Sequence, residues 1–307
     1  MIGYLCAYLR YYHPYEFIAA YLNNANNEDD IKNGSALAEL YGIQIVPPRF
    51  GLSKDKYIFD AERQVIAKGL ESVKYMNRIV ANELYDLSKR HKISSFMELL
   101  KLMSSETSLD SRQLDILIKI DFFKDFGNIT ELSRILSFFT FFKNGTAKKI
   151  QKEKLTGKLY DLVAKYATDK NKDGSESKSF TILDMDGLLT TCEQVVKSLA
   201  LSDIDLKCKI QSQIEYMGYV DLTTNRPEDR RKLLVTDVFP MVSKDKGVVW
   251  GYALQTRSIG SGKVARLTVR AHTFSKSPLK RFDIIYAKEL EKNRSGYWYL
   301  LNYEQAI

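Results

Sequence analysis

The chain has 307 residues, 45% of them hydrophobic, which is enough length and apolar content for roughly two or three folded domains and excludes a disordered polypeptide. Its formal net charge of +8 reflects 46 Lys and Arg against 38 Asp and Glu. Residues 226–307 carry 16 basic and 8 acidic residues, whereas the first 225 carry 30 of each, so the whole excess lies late in the chain and points to an anionic partner. Cys6, Cys192 and Cys208 are too widely spaced for a zinc or redox motif and read as reduced thiols of a cytoplasmic protein. Arg10, His13, Pro14 and Glu16 interrupt the apolar N-terminus before a secretory or membrane-spanning run develops, so no membrane partner is expected.

Apolar residues at helical spacing on both sides of Pro14 predict helix over 2–23, and a second helix is expected over 29–41, closed by Gly42. Residues 43–48 read as a short strand, and 57–59 with 64–67 as a hairpin around 60–63. Helices are expected from Val73 to Phe142, with breaks near Ser104–Ser108 and at Gly127. Residues 143–154 read as a basic connector, 155–167 as an amphipathic helix, and 168–179 as an exposed polar loop. A brief apolar run over 180–183 leads into helix as far as about Met217. From Lys232 the pattern changes to five strand-like runs, 232–241, 247–258, 264–275, 282–293 and 297–305, which predict a small barrel of the oligonucleotide-binding (OB) type. Within the third run, period-two alternation assigns Ala265, Leu267, Val269 and Ala271 to a core face and Arg266, Thr268, Arg270 and His272 to the other. The latter suits a polyanion, although it also fits an ordinary solvated sheet face.

Three motifs suggest chemistry and lack a required part. Asp169, Asn171, Asp173, Gly174, Ser175 and Ser177 match the start of a calcium-binding loop, but the twelfth position, which needs a bidentate Glu, holds Phe180. Asp184 and Asp186 resemble the aspartate pair of a haloacid-dehalogenase-type phosphatase, without the doubly wound sheet that such chemistry requires. Gly260, Gly262 and Lys263 look like the tail of a phosphate-binding loop, yet Val264 follows where Ser or Thr must meet magnesium. His13, His91 and His272 are scattered, and no catalytic residue or metal ligand is assigned.

The order of several pieces carries a resemblance. Ala7–Phe17, Gly42–Pro48 and Tyr57–Phe59 resemble the end of the fingers region of the bacterial replicative DNA polymerase III alpha subunit family. Gly69–Lys74 is similar to the stretch leading into that family's tandem helix-hairpin-helix, and Leu114–Gly127, with Ile118-Lys119-Ile120-Asp121-Phe122-Phe123, to its second half. The basic five-strand region resembles the OB domain that follows in one branch of the family, and the match is least clear over 138–221.

The resemblance implies an α+β multidomain chain: an end-of-fingers region over 1–67, a helix-hairpin-helix module over 68–142, a linker and helical connector over 143–231, and an OB-type barrel over 232–307. It implies duplex DNA contact through Lys74, Asn77, Lys119, Ile120, Phe122 and Lys124, since a hairpin between helices can offer backbone N–H groups to phosphate regardless of sequence. In the first hairpin Tyr75, Met76 and Asn77 stand where the family usually has glycines. For the barrel it implies single-stranded DNA, with Arg257, Lys263, Arg266, Arg270 and His272 toward phosphates and Trp250, Tyr252 and Phe274 as stacking platforms, Trp250 and Tyr252 also fitting a core role. The family's palm aspartates, which bind magnesium, lie upstream of the fingers. The chain therefore looks like a C-terminal piece, expected to hold no cofactor and to be inactive as a nucleotidyltransferase on its own. Sliding clamp and other replisome subunits are the expected protein partners. The competing expectations are a replisome interaction module without DNA contact and a phosphatase built on Asp184 and Asp186.

Overall fold

Pro14 cannot donate to a helical ladder, and the chain turns at His13: α1 (Ile2–Tyr12) ends there and α2 (Pro14–Asn23) starts with Pro14 in its first turn. A computed structural model describes residues 1–170, 175–224, 226–243 and 247–306, in two units, Met1–Tyr219 and Val220–Ile307. In the first unit, α3 (Glu28–Leu40) is capped by Asn27, whose side chain accepts from the Asp30 N–H, and it stops before Gly42 at φ +69°. The predicted hairpin forms as β2 (Ile58–Asp60) and β3 (Val65–Ala67), and β1 (Gln44–Val46) lies parallel to β3. Ile18, Leu22, Ala38, Ile43 and Ile66 make a small core beneath these elements, whereas α1 buries none of its residues.

Four helices follow: α4 (Arg78–Arg90), α5 (Phe96–Glu106), α6 (Ser111–Lys119) and α7 (Ile129–Phe141). Each starts where a short polar side chain, respectively Asn77, Ser95, Asp110 and Asn128, accepts the N–H three residues on. Both predicted breaks are present, and a further one separates α4 from α5 over 91–95.

The next stretch corrects two expectations. The basic connector contains β4 (Lys149–Gln151), and after α8 (Lys158–Tyr166) the supposed loop supplies β5 (Ala167–Lys170) and β6 (Glu176–Ile182), giving a sheet in the order β4-β6-β5. Ile150 and Phe180, paired across β4 and β6, enter the helical core, and that burial makes polar-looking sequence extend as strands. Lys152 donates to Asp169 at 2.9 Å and to Glu176 at 2.8 Å, so Asp169 is engaged by an ion pair, while Asn171, Asp173 and Gly174 of the calcium-loop match lie outside the described residues. With α9 (Met185–Ser198) and α10 (Leu206–Met217), one core runs from Leu70 to Met217, so the expected domain break after Phe142 is not a break in packing.

In the second unit β7 (Lys232–Val242), β8 (Val249–Ser258), β9 (Val264–Arg270), β10 (Ile284–Lys292) and β11 (Trp298–Gln305) close a barrel in the order β10-β11-β9-β8-β7. Neighbours are antiparallel except β9 and β11. The third run is shorter than predicted, because Ala271–Lys276 turns into a short helix, α11. That turn carries Phe274 into the barrel core, where an extended chain would have left it beyond the sheet. Residues before Lys232 join this unit: Thr224 N–H donates to the Ile259 carbonyl at 2.9 Å, and Ser258 Oγ to the Arg230 carbonyl at 2.9 Å. No helix among the described residues is long and apolar enough to cross a membrane.

Candidate nucleic-acid interface

Strand pleating sends alternate residues of β8 and β9 to opposite faces. Leu254 pairs with Leu267 and Tyr252 with Val269, and these four pack in the barrel core. Gly251, Ala253 and Gln255, opposite Arg270, Thr268 and Arg266, therefore point outward. On β7 an irregularity between Val235 and Asp237 reverses the alternation, so Val238 turns inward and Phe239, paired with Ala253, turns outward with 46% of its surface exposed. Tyr299 pairs with Thr268 from the other side. One outward row thus reads Phe239, Ala253, Thr268, Tyr299, its end strands roughly 14 Å apart across three strand spacings, and Ala253 and Thr268 in its middle are buried at 1% and 9% exposed. The next row ends in Asp237, Gln255 and Arg266, the following one in Met241, Gly251 and Arg270.

Lys263, Arg266 and Arg270 are exposed and have no acidic partner among the described residues. Arg266 and Arg270 flank Thr268 on this face. His272 lies on α11, not on the strand, exposed, with its Nε2 3.2 Å from Thr273 Oγ1. Three other predicted contacts need correction. Arg257 Nη2 donates to Asp221 at 2.6 Å, so the guanidinium is held locally. Tyr252 and Phe274 stack on each other with ring centroids 3.8 Å apart and planes 19° apart, and both pack into the barrel core, which withdraws them from bases. Trp250, at the start of β8 and 43% exposed, is the predicted platform left open. Phe239, Gln255 and Tyr299 escaped the sequence reading, because only the pairing of strands places them on this face.

In the first hairpin Asn77 caps α4 by accepting the Val80 N–H at 2.9 Å, and Lys74 is exposed without an acidic partner among the described residues. Tyr75 holds φ +67°, a left-handed conformation that costs a residue with a side chain about 1–2 kcal/mol. The position keeps the backbone shape of a glycine without being one.

The second hairpin is filled by the chain itself. Ile120 and Phe122 are buried, their N–H groups donate to the Ile116 and Leu117 carbonyls, and the Phe122 carbonyl accepts from Phe50, so neither predicted contact is presented to DNA. Lys119 bonds Asp115 at 2.6 Å on its own helix, which raises its pKa. The N–H of Ile129 at the start of α7 donates to Asp203 Oδ1 at 3.2 Å, and Asn128 Nδ2 donates to the Leu201 carbonyl at 2.8 Å. Lys209 bonds both Asp203 and Asp121; burial works to lower its pKa, but the two carboxylates outweigh it and hold the ammonium above its ordinary value. A carboxylate therefore sits where a phosphate would have to bind. Lys124 alone of the predicted set is exposed and unpaired there among the described residues.

The phosphatase residues are engaged in structural roles: Asp184 caps α9 by accepting the Gly187 N–H at 2.9 Å, and Asp186 pairs with Lys101 at 2.5 Å. Among the described residues no group of three or more His, Cys, Asp or Glu is placed to hold a metal. Neither a family model nor any curated protein matches the chain.

Proposed function

We propose that the chain is a DNA-binding, non-catalytic portion of a bacterial replicative DNA polymerase, in which the barrel guides single-stranded template and the first hairpin of the helical unit meets duplex. The observation that carries this reading is the outward face of β9, where Arg266 and Arg270 are exposed and have no acidic partner among the described residues, with exposed Phe239 on the same side of the sheet two strands away on β7. The strand order supports an OB-type barrel, with its first strand paired to the fourth, its third to the fifth and a helix between the third and fourth. Such barrels carry oligonucleotides across their second and third strands, here β8 and β9. The second hairpin has no part in the reading.

The test is an Arg266→Ala, Arg270→Ala variant titrated with a single-stranded oligonucleotide across a salt series. Loss of two phosphate contacts lowers affinity and flattens the logarithmic salt dependence by about 1.4. Unchanged affinity and slope would sink the reading. A second reading, a replisome protein-interaction module, is favoured by α1, which exposes Ile2, Tyr4, Leu5, Tyr8 and Leu9. No DNA binding by the unaltered chain at low salt would favour that alternative.

A further inference from the structure

Tyr75 occupies a position that neither burial nor backbone geometry demands of an aromatic residue. Its φ of +67° suits glycine, and the residue is 54% exposed, so core packing does not offset the strain. The turn around it is tied down: Lys74 N–H donates to the Tyr216 carbonyl at 2.8 Å, Met76 N–H to the Val73 carbonyl at 3.1 Å, and the buried Gln113 donates Nε2 to the Tyr75 carbonyl at 2.9 Å. Over the ring lies the Arg112 guanidinium, 3.6 Å from its centroid. Arg112 and Lys74 are both exposed and have no acidic partner among the described residues.

We propose that Tyr75 and Arg112 form a stacking site for an unpaired or terminal DNA base, with Lys74 holding an adjoining phosphate. A ring with a guanidinium already lying over it, 3.6 Å from its centroid, is a planar group held in place at little entropic cost, and every base has a face to stack on it whatever its identity. The two cations supply the attraction that the flanking phosphate needs. The site rests on the reading of the chain as DNA-binding and adds a contact in the helical unit.

Tyr75→Gly is a clean test, because glycine adopts this φ without strain and removes only the ring. The probe is a DNA duplex with a single-stranded overhang, carrying 2-aminopurine at the junction, bound by the full chain. Tyr75→Gly is expected to lower affinity about ten-fold with the salt slope unchanged, since stacking involves no counterion. Tyr75→Phe binds as the unaltered chain does, and Lys74→Ala flattens the slope by about 1. Tyr75→Gly binding with full affinity, while the Arg266→Ala, Arg270→Ala variant loses it, overturns the stacking site and leaves the barrel reading standing. Absence of DNA binding by the unaltered chain at low salt overturns both.

Discussion

Asp203 accepts the backbone N–H of Ile129 at 3.2 Å, placing a carboxylate from the segment between α9 and α10 on the first turn of α7. The positive end of the helix and Lys209 both favour that charge. Asp203→Ala should lower the stability of the helical unit by about 2 kcal/mol, read as the urea midpoint of the far-ultraviolet helical signal. The same contact predicts that Lys124→Ala leaves duplex affinity unaltered, because the hairpin beside it is closed. A large loss with Lys124→Ala would contradict this.

Glu193 performs a similar service for α5. It is buried, and its two carboxylate oxygens accept the N–H groups of Phe96 at 3.1 Å and Met97 at 2.9 Å. Glu193→Ala leaves two amides at a buried helix end without an acceptor and should cost about 3 kcal/mol. Glu193→Gln, which keeps an acceptor, should cost less; equal losses for the two variants would show that the hydrogen bonds are not what matters.

The chain has two tryptophans, Trp250 and Trp298, and both lie in the barrel, so tryptophan emission follows that unit alone. Phe274→Ala, which empties the stack against Tyr252, should lower barrel stability by about 3 kcal/mol. Where the variant remains folded, its affinity for single-stranded DNA should match that of the unaltered chain, whereas Trp250→Ala should weaken binding without a comparable loss of stability. The reverse pattern would reassign the two residues.

Asp229 accepts from Lys232 at 2.7 Å and from Thr224 at 2.9 Å, and the bond from Lys232 is the main reason its carboxyl pKa is lowered. A group whose folded pKa is depressed contributes stability that is fully present above the unfolded value of about 4 and is lost as pH falls through the folded one. Barrel stability should therefore decline on acidification below about pH 4, and Asp229→Asn should shrink that part of the decline. An unaltered acid limb in the variant would remove Asp229 from the explanation.

Because α1 buries nothing and has only 11 residues, its amides should exchange with solvent almost as fast as an unfolded chain. Those of α4 and α5, which bury Leu84, Leu87, Phe96 and Leu100, should be protected. Slow exchange over 2–12 in the isolated chain would mean that something covers the helix.

Much of the architecture was legible because it depends on neighbours in the chain. Pro14, Gly42 and Gly127 punctuate helices at the predicted places, and five alternating runs become five barrel strands. The missed elements, β4, β5 and the first part of β6, are short polar strands whose extension depends on Ile150 and Phe180 reaching a distant core. The candidate site was half legible. Arg266 and Arg270 follow from period two, but Arg257 has the same residue type and the structure assigns it to Asp221.

By itself, then, the sequence determined the helix interruptions at Pro14, Gly42 and Gly127, a basic five-strand region from Lys232 on, and which face of β9 carries arginine, since these follow from backbone freedom and side-chain period. Tertiary structure alone decided which of those groups remain open to a partner. A strand irregularity turned Phe239 outward, a helix buried Phe274 against Tyr252, and Asp203 closed the second hairpin. Each depends on residues brought together from separate parts of the chain, and no local pattern encodes that meeting.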